Sequence, residues 1–91
     1  MRLVIVGTGY VGLVTATCFA EMGNSVRCVD ANPAIVEMLT KGIVPIYEPG
    51  LEEMVIRNQE AGRLAFGVSL ADAMPNAEFV FLCVGTPPRE D

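Results

Sequence analysis

The sequence predicts an α/β domain built on a parallel sheet of about four strands with helices on both faces. Three observations carry this. Short apolar runs alternate with helical stretches along the whole chain. The runs lack the polar alternation of a half-exposed strand, as expected where both faces are covered. Glycine, proline or asparagine closes or opens nearly every element. Ninety-one residues hold one domain and leave no room for a second.

Leu3–Val6 is the first strand, a β-branched run ended by Gly7. A helix follows the glycines Gly7, Gly9 and Gly12 and runs to about Met22, where Gly23 stops it. Gly12, Ala16 and Ala20 recur every fourth residue, a small-residue stripe that lets the helix backbone approach the sheet. Ser25–Asp30 is the second strand, with Val26, Cys28 and Val29 as its apolar content. Asn32 and Pro33 are a helix start, an N-cap followed by proline at the first helical position. That helix extends to about Lys41 on an apolar face of Ile35, Val36, Met38 and Leu39. A loop from Gly42 to Gly50 leads to a third helix, Leu51–Glu60, with Leu51, Met54 and Val55 inward. Leu64–Gly67 is the third strand. Ser69 and Asp72 have nearly the form of a capping box and open a short helix. Phe79–Val84 is the fourth strand, apolar throughout, and it exposes an apolar edge where a further strand would pair.

Composition excludes several classes of function. The net charge of −5 gives no electrostatic footprint for nucleic acid or an anionic membrane. No histidine is present, which excludes a His-based triad and a histidine metal site; no metal site is expected. No apolar run approaches the ~18 residues of a membrane span, and the start Met1-Arg2-Leu3 reads as a strand rather than a signal peptide. Cys18, Cys28 and Cys83 are odd in number and form no C-x-x-C. They read as free, buried packing residues in a reducing, cytoplasmic setting.

The chemistry lies in Gly7-Thr8-Gly9-Tyr10-Val11-Gly12, between a strand and a helix. Each glycine has a reason in a pyrophosphate cradle. Gly7 permits the tight turn, Gly9 lets phosphate lie against the backbone, and Gly12 brings helix and strand together. Helix-start N–H groups and the positive dipole end bind the phosphates. Asp30 ends the second strand eighteen residues after Gly12. Its carboxylate can accept hydrogen bonds from both hydroxyls of an adenosine ribose, and it repels a 2′-phosphate. No arginine follows in Ala31 or Asn32, so NAD is favoured over NADP. The structural alternatives are a plain glycine turn and a capping aspartate. Together these features describe an incomplete Rossmann-like dinucleotide fold, the N-terminal portion of such a domain over residues 1–91.

The segments Gly7–Val14, Cys18–Gly23, Cys28–Asp30, Pro45–Glu53, Gly62–Leu64 and Val84–Pro88 occur in an order that resembles the nucleotide-sugar dehydrogenases of the UDP-glucose/GDP-mannose dehydrogenase family. The likeness covers essentially the whole chain. It implies a four-electron oxidation in which a sugar C6 alcohol becomes a carboxylate with two NAD and one water; UDP-glucose is the expected substrate. GDP-mannose and UDP-N-acetylhexosamine enzymes are the near alternatives, and a non-catalytic NAD-sensing module is the alternative of another class. By motif match, Gly7, Thr8, Gly9, Tyr10, Val11 and Gly12 hold the pyrophosphate, Asp30 the adenosine ribose, and Thr86 lies beside the cofactor. Ile35 stands where the family commonly has a cation. The resemblance places no catalytic residue in this chain: the family's cysteine, lysine and water-handling groups match positions after Asp91, with which UDP-glucose would bind. It also implies a homo-oligomer. Glu48 has two readings, a turn carboxylate near a helix start and a ligand-facing acid.

Overall fold

The structure, a computed structural model, describes residues 1–83, so Val84 and Thr86 lie outside the described residues. Its elements are β1 (Arg2–Val6), α1 (Tyr10–Glu21), β2 (Ser25–Val29), α2 (Pro33–Thr40), α3 (Leu51–Glu60), β3 (Leu64–Gly67), α4 (Leu70–Ala73) and β4 (Phe79–Leu82). The sheet has the order β3-β2-β1-β4 and every pairing is parallel. Leu3 lies opposite Val26 on one side and Phe79 on the other.

Topology decides which face each helix covers. The steps from β1 to β2 to β3 move outward in one direction, so right-handed connections put α1, α2 and α3 on the same face. The return from β3 to β4 reverses direction and puts α4 on the opposite face. The core divides accordingly. Leu3, Ile5, Val26, Cys28 and Leu64 pack under Leu13, Ala16, Ala20, Leu39, Leu51 and Val55. Their strand neighbours Val4 and Val29 point the other way, against Ala73.

Local chemistry sets the boundaries. Asn32 Oδ1 accepts the Ala34 N–H at 3.0 Å, capping α2. Ser69 Oγ accepts the Asp72 N–H at 3.2 Å, capping α4. Gly23, at φ +101°, ends α1 in the left-handed region. A buried asparagine ties the far ends of α1 and α3 to the start of β3. Asn58 donates to Glu21 Oε1 at 2.9 Å and to the Met54 carbonyl at 2.8 Å, and its Oδ1 accepts from Arg63 Nε at 2.9 Å. Asn58 escaped the sequence reading because it is polar. Its spacing from Leu51, Met54 and Val55 nevertheless places it on the inward stripe of α3.

One expectation is corrected. Cys18 is exposed, whereas Cys28 is buried and Cys83 half-buried. The inner face of α1 is Gly12, Leu13, Ala16, Thr17 and Ala20. At ~100° per residue, position 18 turns away from that stripe. β4 is one of the two edge strands, and its apolar side chains Phe79, Val80, Phe81 and Leu82 are all exposed. Phe81 still stacks on Phe19 of α1, ring centroids 5.5 Å apart.

Candidate functional site

The chain leaves β1 through a turn that only glycine can make. Gly7 has φ +102°, in the left-handed region, and its N–H donates to the Val29 carbonyl at 2.8 Å, fixing the turn to β2. Gly9 is the N-cap of α1, with φ −69° and ψ −170°, and its carbonyl accepts the first helical bond, from Leu13 N–H at 2.9 Å. The N–H groups of the first turn precede that bond and have no intrahelical partner. No side chain caps this end and the first turn carries no acid. The result is a positive helix end with neither a cap nor an acid in its own first turn. α3 also starts on a glycine, Gly50, but Glu52 and Glu53 sit in its first turn and cancel the field there.

The two remaining glycines of the motif are glycine for different reasons. A Cβ on Gly12 would collide with the Gly7 carbonyl oxygen and lie 3.2 Å from Cys83 Cβ. Close packing of α1 on β1 therefore requires Gly12. A Cβ on Gly9 would meet nothing within 4 Å, and its backbone angles suit any residue. Among the described residues, nothing in the fold demands glycine at position 9, and the space above it is open. Tyr10 and Val11 flank that space on the solvent side, 53% and 62% exposed.

Asp30 follows β2 beside this turn. Its Oδ2 accepts the Thr8 hydroxyl at 2.6 Å and the Thr8 N–H at 3.0 Å, and its Oδ1 accepts the Asn32 N–H at 2.9 Å. Burial pushes the Asp30 carboxyl up, but the Thr8 hydroxyl, the Asn32 N–H and the Thr8 N–H together outweigh it and hold it below its ordinary 3.8. Asp30 is thus both the aspartate of a turn and an anion at the carboxyl end of the sheet. Beside it opens a cleft of about 340 Å³ with Gly7, Asp30, Ala31, Val68 and Leu70 among its walls. Open α/β sheets bind ligands in this place.

The structure therefore brings Gly7, Thr8, Gly9, Tyr10, Val11, Gly12 and Asp30 together; Thr86 lies outside the described residues. Thr8 differs from the others. It is buried and its N–H is already used by Asp30, so the donors left for an anion begin beyond it. Glu48 is exposed in the loop before α3, and Ile35 packs against the core instead of facing the cleft. The apolar walls Val68 and Leu70 were missed. Their signal is a pair of apolar residues bracketing the Ser69 cap just past the end of β3. Among the described residues, no group of His, Cys, Asp or Glu could hold a metal ion, and no helix is long and apolar enough to cross a membrane.

Known proteins resemble this chain in sequence and fold. Residues 1–91 match the sequence profile described as UDP-glucose/GDP-mannose dehydrogenase family, NAD binding domain. The UDP-glucose 6-dehydrogenase of Pseudomonas aeruginosa is 56% identical over 91 residues, all of this chain and 20% of the relative. The solved UDP-glucose dehydrogenase of Pyrobaculum islandicum is 47% identical and superposes with a TM-score of 0.92 over 99% of this chain and 21% of its own. A GDP-mannose dehydrogenase from Pseudomonas aeruginosa, solved as a ternary complex, gives a TM-score of 0.94 at 37% identity, with the same two coverages of 99% and 21%. The chain spans about a fifth of the length of the curated relatives it matches.

Proposed function

The chain belongs to the UDP-glucose/GDP-mannose dehydrogenase family, as an NAD-binding domain, and from that premise we propose that it serves an enzyme that oxidises the C6 alcohol of UDP-glucose to the carboxylate of UDP-glucuronate with two NAD. Residues 1–91 act as the N-terminal portion of the dinucleotide-binding domain. The substrate assignment is supported by identity: 56% to a UDP-glucose 6-dehydrogenase over the whole chain, against 37% to the GDP-mannose dehydrogenase structure.

One observation carries the cofactor role of these residues. Gly9 is bare where the fold does not need it, at a helix start with neither cap nor acid, next to an anionic aspartate at the end of β2. A dinucleotide pyrophosphate fits this donor set: the space above Gly9 accepts it, and the positive end of α1 attracts it. Asp30 accepts from the adenosine ribose and repels a 2′-phosphate. Gly7 and Gly12 shape the turn, Tyr10 and Val11 present first-turn N–H groups, and Thr86 lies beside the cofactor. NAD, when bound, supplies the hydride acceptor. The proton of the substrate alcohol needs a base, and the aldehyde stage needs a nucleophile or a held water; both come from residues outside this chain. The buried Cys28 is unsuited to the nucleophile's role, since burial, with Cys83 adding to it, pushes its thiol up to about 12.

The test is NADH formation by the full protein, offered UDP-glucose or GDP-mannose with NAD. The expected result is turnover of UDP-glucose with two NADH per sugar, and none from residues 1–91 alone. Preferential oxidation of GDP-mannose would overturn the substrate assignment.

A further inference from the structure

We infer that Thr8 is a positioning residue that sets cofactor selectivity: its buried hydroxyl fixes the Asp30 carboxylate in the orientation that accepts an adenosine ribose and rejects a 2′-phosphate. This rests on the reading that the chain binds NAD through Asp30.

Thr8 stands apart from the other buried polar residues. The described chain has three: Thr8, Thr17 and Asn58. Thr17 donates within its own helix, to the Leu13 carbonyl at 2.7 Å, and Asn58 knits α1, α3 and β3. Thr8, 4% exposed, instead reaches out of the β1–α1 turn to a side chain twenty-two residues away, at the end of the neighbouring strand. The hydroxyl bond at 2.6 Å is the shortest contact the carboxylate makes. It is a charge-assisted bond from a buried donor.

The last torsion of an aspartate is broad, so its donors choose its orientation. Two backbone N–H groups, of residue 8 and Asn32, would remain with valine, alanine or serine at position 8. The hydroxyl would remain only with serine. It loads Oδ2 twice and leaves Oδ1, with a single internal donor, as the oxygen with acceptor capacity to spare. A carboxylate held this way presents one fixed lone pair to a ribose hydroxyl without a further ordering cost at binding. A 2′-phosphate offers no hydroxyl at that place and meets a fixed negative charge. Freed of the Thr8 hydroxyl, the carboxylate can swing aside. The ribose contact weakens and the repulsion of 2′-phosphate weakens with it. Discrimination therefore falls from both sides.

The experiment is equilibrium titration of the full protein with NAD and with NADP, for the parent and for Thr8→Val, Thr8→Ala and Thr8→Ser, with melting temperatures recorded alongside. Valine keeps the shape and alanine guards against misfit of the second methyl; both lose the donor. The expected result for both is NAD binding weakened about tenfold, the low end for a lost bond to a charged group, with NADP binding unchanged or tighter. Thr8→Ser keeps the parent's ratio. In an Asp30→Ala background, Thr8→Val has no further effect on the ratio. Equal losses for NAD and NADP, or a serine variant that behaves like valine, would make Thr8 a support of the turn and overturn the inference. A parent that does not prefer NAD, or an Asp30→Ala variant that binds as the parent does, overturns the underlying reading of Asp30 instead.

Discussion

Replacing Gly12 by alanine should stabilise α1 by about 1 kcal/mol on helix propensity alone. The packing reverses the sign. A Cβ there collides with the Gly7 carbonyl oxygen and lies 3.0 Å from the Gly7 carbonyl carbon and 3.2 Å from Cys83 Cβ. Carbon atoms prefer about 3.5–4.0 Å, and neither neighbour is free to yield. Gly7 sits at φ +102° with its N–H bonded to Val29, and the Cys83 N–H donates to the Val6 carbonyl at 2.8 Å. α1 must therefore withdraw from the sheet by more than about 1 Å to clear the Gly7 carbonyl oxygen. That loosens Leu13, Ala16 and Ala20, all wholly buried beneath it. Overpacking of this kind costs about 1–3 kcal/mol, and more where backbone must move. The obstacle here is backbone, so the upper end of about 3 kcal/mol applies; with the propensity gain set against it, a net loss of about 2 kcal/mol is expected, or roughly 8–16 °C in melting temperature for a domain of this size. Thermal denaturation followed by circular dichroism reads it directly. A Gly12→Ala chain melting at or above the parent would refute the close-approach argument.

Three further outcomes are expected. A thiol reagent applied to the native chain, with sites mapped by mass spectrometry, labels exposed Cys18 quickly, while buried Cys28 reacts only after denaturant is added; labelling at equal rates contradicts the packing of β2. Asn58→Ala removes a buried side chain that satisfies Glu21, Met54 and Arg63, and should cost about 2 kcal/mol in urea titrations; a loss below about 0.5 kcal/mol, the low end for one hydrogen bond, would show that the network contributes little. Asp30 is held below its ordinary 3.8, so its contribution to stability is complete above that value and is lost as pH falls through the lower folded value. Asp30→Asn should flatten this part of the acid limb of urea midpoints, and an unchanged limb would remove Asp30 from it.

Much of the arrangement was legible because period and chemistry agreed. The stripe Gly12, Ala16, Ala20 gave the buried face of α1, and the same stripe implied that Cys18 faces solvent. The error there came from weighing the residue type above its angle on the helix. The place of Asp30 at the end of the second strand, beside the glycine turn, was legible in the sequence. Its bond to Thr8 was not, because it joins residues twenty-two apart whose distance is set by strand pairing. Asn58 was passed over for the same reason: a polar side chain is an inward residue only where partners surround it, and Glu21 and Arg63 come from other elements. The exposure of β4 followed from counting strands rather than from its own residues, which are uniformly apolar. Capping was the most local feature and the easiest to read, as at Asn32 and Ser69.

We ascribe the bare backbone at Gly9 to a dinucleotide pyrophosphate. Calorimetric titration with NAD of the parent and of Gly9→Val, each with its melting curve, tests it most directly. A Cβ at position 9 meets nothing within 4 Å among the described residues, so the variant should melt within about 1 kcal/mol of the parent's stability, as substitutions free of packing conflict do. It should nevertheless lose NAD binding, because valine fills the space of the phosphates. A Gly9→Val chain that binds NAD as tightly as the parent would contradict the account.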